Sequence, residues 1–153
     1  MRTLSAERAL RHLPEQVYAF LAELENHWHL DDRLLRLERL DHGAHGSRIV
    51  IGGPLGLRRT ARIRLTESAP TRRVVGTAEV GRRTQARVTW TITPQGGGSR
   101  VSVQATVLRA GALDRLLLAA GGRWWMRRRF ARVLEQLARA LDAGRAPSVP
   151  VAA

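Results

Sequence analysis

Between residues 35 and 109 apolar and polar side chains alternate, and this most narrows what the chain can become. The stretches RLERLD, SRIVIGG, LRRTARIRLTES, RRVVGTAEV, TQARVTWTITP and SRVSVQATVLR are each bounded by turn chemistry such as DHGAHG, GGPLG, SAPT, GRR and QGGG. A period of two bounded by Gly, Pro, Asn, Asp or Ser is the signature of strands joined by hairpins. Ala61, Ile63 and Leu65 oppose Arg62, Arg64 and Thr66, and Val88, Trp90 and Ile92 oppose Arg87, Thr89 and Thr91. Val101, Val103, Ala105 and Val107 likewise oppose Ser102, Gln104 and Thr106. One face is apolar and the other wet, as in a sheet covered on one side only. With TLSAERALRH at residues 3–12 as a further strand, the expectation is a seven-stranded antiparallel sheet.

The cover must come from helices. Pro14 and Glu15 suit a helix first turn, and Val17, Phe20, Leu21 and Leu24 follow at helical spacing, so PEQVYAFLAELEN reads as an amphipathic helix. A second short helix is expected in HWHLDDRL. From Gly111 to Asp142 the period is helical again. Met126, Phe130, Val133, Leu134, Leu137 and Leu141 form one face, and Arg128, Arg129, Arg132, Glu135 and Arg139 the other. Gly121-Gly122 interrupts this helix and predicts a kink or break. The class is therefore α+β, with one domain over residues 1–143 and a flexible tail over 144–153.

All 26 basic residues are arginine, and the net charge is +13. The charge is uneven: residues 1–42 hold six Arg against eight acids, and residues 43–153 hold 20 Arg against five. Such a field attracts phosphate or anionic lipid but does not dictate fold. The absence of cysteine excludes disulfides and thiol chemistry and fits a reducing compartment. No secretory pattern or bilayer-length apolar run is visible, so a cytoplasmic location is expected.

The segments LPEQVYAFLAELENHWHL, TPQGGGSRVSV and GALDRLLLAAGGRW, in the order strand, helix pair, strands, long helix, resemble the START-like superfamily, also called SRPBCC or the polyketide cyclase/dehydrase family. The resemblance covers residues 3 to about 143. It implies a helix-grip fold, a curved sheet wrapped around the last helix with two short helices between strands 1 and 2. It also implies an apolar cavity for a hydrophobic small molecule or lipid. Such proteins carry or sense their ligand, and some cyclise or dehydrate polyketides; carriage or sensing is the expectation here, with the enzyme as the alternative. The lining expected on this basis is Phe20, Leu24, Trp28, Ile63, Leu65, Trp90, Val103, Met126 and Phe130. Cyclase relatives also place an arginine in the pocket to polarise a carbonyl.

That arginine would be Arg59, which shares the inward parity of Ala61, Ile63 and Leu65. An unpaired charge does not sit in an apolar cavity, so Arg59 either lies at the solvent rim or meets an acidic ligand group. Arg48 carries the same ambiguity more weakly. His27 and His29, with Asp31 and Asp32 nearby, lack the i, i+4 spacing of a metal-binding helix, so no metal and no cofactor is expected. Trp28 is expected to plug the cavity while both histidines face water. No nucleophile elbow, P-loop or HExxH occurs. Trp125, placed by helical phase with Leu118 among the arginines, would suit contact with an anionic membrane. No nucleic-acid-binding signature accompanies the charge, so no specific nucleic acid is expected.

Overall fold

The computed structural model describes residues 2–27, 30, 35–40, 46–52 and 58–144. The chain is α+β, an antiparallel sheet packed against a long C-terminal helix. In chain order the elements are β1 (Arg2–Leu10), α1 (Pro14–Leu21), α2 (Leu24–His27), β2 (Leu35–Leu40), β3 (Gly46–Gly52), β4 (Arg58–Ala69), β5 (Arg73–Val80), β6 (Thr84–Gln95), β7 (Gly98–Arg109), α3 (Ala112–Leu117) and α4 (Arg123–Asp142). A kinked segment, Leu118–Gly122, with non-helical backbone at Ala120 and Gly121, joins α3 to α4.

The sheet follows the period-two pattern. β1 pairs with β7, β7 with β6, β6 with β5 and β5 with β4, all antiparallel. β3 pairs with the far side of β4, and β2 with β3. Registers place Ala6 opposite Val103, Val103 opposite Trp90, and Trp90 opposite Val74. Val74, Trp90 and Val103 are buried and Ala6 packs against them, so an apolar row crosses four strands. α4 lies along β1 and β7, and α1 lies over β5, β6 and β7. Phe130, Leu134, Leu137 and Ala140 are the buried residues of α4, close to the stripe expected from sequence.

The first helix departs from expectation. It stops at Leu21 instead of running to Asn26, and α2 is a single separate turn. The amide of buried Asn26 donates to the Phe20 carbonyl at 3.0 Å, and His27 donates from Nε2 to the Leu21 carbonyl at 2.7 Å. These side chains satisfy carbonyls that a helix end leaves without partners, so folding back replaces continuing the helix. At the other end Pro14 opens α1, and the Gln16 side chain accepts the Leu13 N–H at 3.0 Å.

The break before α4 falls where the glycine pair predicts it. Gly121 has φ +106°, a region L side chains rarely adopt. At Gly122 an added Cβ would stand 2.5 Å from the Leu117 carbonyl oxygen. Gly122→Ala should therefore cost about 1–3 kcal/mol as the turn shifts to relieve the clash. Thermal unfolding checks this: the midpoint should drop by several degrees, and an unchanged midpoint would show that the turn is not constrained by that contact.

Candidate functional site

The apolar row of the sheet and the helices above it enclose one core. Phe20, Trp90, Val103 and Phe130 belong to it, and Leu65 and Met126 pack against its edge. Six of the side chains expected from sequence to line a cavity are thus brought together. Ile63 is half-buried on β4 beside Ala61, outside that cluster. The side chains of Leu24, Trp28 and Arg48 lie outside the described residues, as does His29.

At this core stands a polar pair. The imidazole of His27 meets the indole of Trp90 edge to face, with ring centroids 5.7 Å apart and planes at 90°. His27 therefore does not face water, contrary to the sequence expectation; it is drawn inward by its bond to the Leu21 carbonyl. A carbonyl only accepts, so Nε2 carries the proton and fixes the tautomer. Burial lowers the pKa of His27, partly opposed by that same hydrogen bond. The ring is neutral at neutral pH, with Nδ1 a bare acceptor.

Among the described residues neither His27 Nδ1 nor the indole N–H of Trp90, a residue only 5% exposed, finds a hydrogen-bond partner. Leaving the buried indole N–H of Trp90 unmet costs about 1–3 kcal/mol, which an ordinary core avoids. The pair thus offers one buried donor and, on the half-buried imidazole, one acceptor. His27 was legible only in hindsight. Asn-His just past a helix end, where orphan carbonyls need donors, was the signal.

Arg59, half-buried, finds its partner within the protein itself. Its guanidinium pairs with the Asp114 carboxylate, and the Thr84 hydroxyl donates to the other oxygen of Asp114. Thr84 Oγ1 in turn accepts the Gly111 N–H at 3.1 Å. The half-buried charge is met inside the protein by an acid 55 positions away. This network ties α3 to β4 and β6. A hollow of about 540 Å³ lined by Thr60, Arg62, Glu79, Gly81, Arg82, Thr84 and Arg109 lies at the polar outer side and end of the strands. Its lining suits water and ions more than an apolar molecule.

Trp125 also moves from its expected place. It is half-buried with the Arg129 guanidinium 5.3 Å over its ring, and Leu118 packs against the core. A helical wheel drawn through both residues fails because its phase does not carry across the kink at Gly121. Trp124 is the exposed ring, at 63%. Among the described residues no group of three or more His, Cys, Asp or Glu is arranged to hold a metal, and no helix is long and apolar enough to cross a membrane.

Residues 1–142 match the family described as polyketide cyclase / dehydrase and lipid transport. Similar solved structures include the protein TTHA0849 of Thermus thermophilus, at 21% identity and TM-score 0.68, covering 94% of this chain and 99% of that one. Protein Ms6760 of Mycobacterium smegmatis is 13% identical with TM-score 0.67, covering 91% and 90%. DR_A0006 of Deinococcus radiodurans is 20% identical with TM-score 0.63, covering 94% and 99%. At these identities the likeness speaks for the fold alone. No functionally curated protein matches the chain.

The state of His27 has a consequence for stability. The unfolded chain takes up a proton at the ordinary imidazole value of 6.5, while the folded chain holds its proton affinity lower. Below 6.5 the unfolded state therefore binds more protons, and stability falls as pH is lowered. Urea unfolding between about pH 7 and about pH 5 should show this loss, and His27→Gln should have a flatter profile. Parallel profiles for the two proteins would mean that His27 is not held neutral by the fold.

Proposed function

The chain belongs to the polyketide cyclase/dehydrase and lipid transport family, and from that membership we propose that it binds a hydrophobic small molecule or lipid between the sheet and α4. In this reading the protein is a carrier or sensor, a single binding domain over residues 1–143 that needs no metal or cofactor. The reading requires space between the sheet and α4, where Phe20, Leu65, Val103, Met126 and Phe130 are gathered.

The observation that carries this reading is the His27–Trp90 pair, in which the buried indole N–H and Nδ1 of the half-buried imidazole are both unmet among the described residues. A hydroxyl fits both, donating to Nδ1 and accepting from the indole N–H. A carboxylate fits less well, because the imidazole is neutral. The ligand is accordingly an apolar molecule with a neutral hydroxyl or enol. The same bare Nδ1 supports the cyclase or dehydratase as a second reading, since a neutral imidazole is a competent general base.

Ligand binding can be tested directly with a hydroxylated polycyclic fluorophore and its deoxy analogue. Wild type should prefer the hydroxylated probe by about tenfold, the worth of one to two net hydrogen bonds, and His27→Phe should erase the preference while still binding both. Failure of wild type to bind either probe, together with native mass spectra showing no co-purified apolar molecule, would overturn the proposal.

A further inference from the structure

The five exposed large apolar side chains among the described residues are Leu13, Leu108, Leu113, Leu116 and Trp124. Three of them crowd the kinked segment between β7 and the body of α4: Leu113 is 50% exposed, Leu116 65% and Trp124 63%. α3 buries none of its residues, so Leu113 and Leu116 are not spent on the core. Scattered exposed leucines are unremarkable, but a cluster around one turn marks a contact surface.

Positive charge dominates around these side chains, and Glu135, which shares a hollow with Arg128, is paired with Arg139. Residues 115–134 contain six arginines and no acidic residue. Asp114, the acid nearest to them on α3, is turned into its pair with Arg59 and Thr84. The Arg128 guanidinium sits 4.6 Å over the Trp124 ring, so this exposed indole is already associated with a cation. An amphipathic ring beside arginines and leucines matches the boundary between headgroups and acyl chains, where apolar tips insert and cations meet phosphate.

We infer that the segment from Leu113 to Arg128 is a docking surface for an anionic lipid bilayer. The leucines and Trp124 enter the interface, and Arg123, Arg127 and Arg128 hold the headgroups. The inference stands on exposure and charge at this segment and does not depend on what the core binds. A nucleic acid would answer the arginines but would leave Leu113 and Leu116 without a partner on a phosphate backbone.

Flotation with neutral phosphatidylcholine vesicles, and with the same vesicles carrying phosphatidylglycerol, tests the surface. Wild type should float with the anionic vesicles only and release as salt is raised. Trp124→Ala and Leu116→Ser should each weaken binding at least about threefold, and Arg127→Gln about fivefold. Leu13→Ser, an exposed leucine elsewhere on the molecule, should bind as wild type does. Circular dichroism should show every variant folded, which exposed positions permit. Equal flotation with neutral vesicles, no flotation of wild type, or no loss in Trp124→Ala would overturn the inference. So would binding to duplex DNA in the absence of vesicle binding, which would assign the arginines to phosphate backbone.

Discussion

Across the middle of the sheet Ala6, Val103, Trp90 and Val74 stand opposite one another on successive strands, and this apolar row has to be kept from water. Hydrophobic burial is the dominant favourable term in folding, worth about 1.5–3 kcal/mol for each large side chain fully covered. α4 covers the β1 and β7 side of the sheet, and α1 covers β5 to β7. Each helix supplies its own apolar residues to the contact. Phe20 and Leu21 come down from α1, and Phe130, Leu134 and Leu137 from α4. Without the row, neither helix has anything to pack against.

Covering the row draws polar side chains toward the core, Asn26 fully and His27 in part. Asn26 and His27 enter it because α1 ends above the sheet and its last carbonyls need donors. The imidazole thereby becomes a neutral ring with its protonated nitrogen committed to backbone and its other nitrogen open beside Trp90. One structural requirement, finishing a helix, thus creates the chemical feature that a ligand could use. The kink before α4 works similarly. Gly121 and Gly122 break the helix, Asp114 ties α3 back to Arg59 and Thr84, and the apolar side chains of α3 are left outside the core.

The sheet and the C-terminal helix were legible in the sequence because their patterns are local. Alternation shows Val101, Val103 and Ala105 facing inward without knowledge of any partner, and the spacing of Phe130, Leu134 and Leu137 names the buried side of α4. The end of α1 was not legible, because Leu24 continues the helical period past Leu21 and only the side-chain bonds of Asn26 and His27 stop it. The Arg59–Asp114 pair joins β4 to α3 across 55 positions, a distance no periodicity reports. Placing Trp125 with Leu118 on one wheel assumes a continuous helix, which the positive φ of Gly121 interrupts. Of the candidate site, the apolar positions that gather in the core were legible, Trp90 among them, and the inward turn of His27 was not.

Nitrogen-15 chemical shifts of the His27 ring test the account at its centre. At neutral pH the ring should be in the Nε2–H tautomer, with Nδ1 bare in the free protein and moving toward a hydrogen-bonded shift when the hydroxylated probe is added, together with the Trp90 indole N–H. A His27 ring that is charged at neutral pH, or whose Nδ1 and Trp90 partner ignore a bound probe, would contradict it.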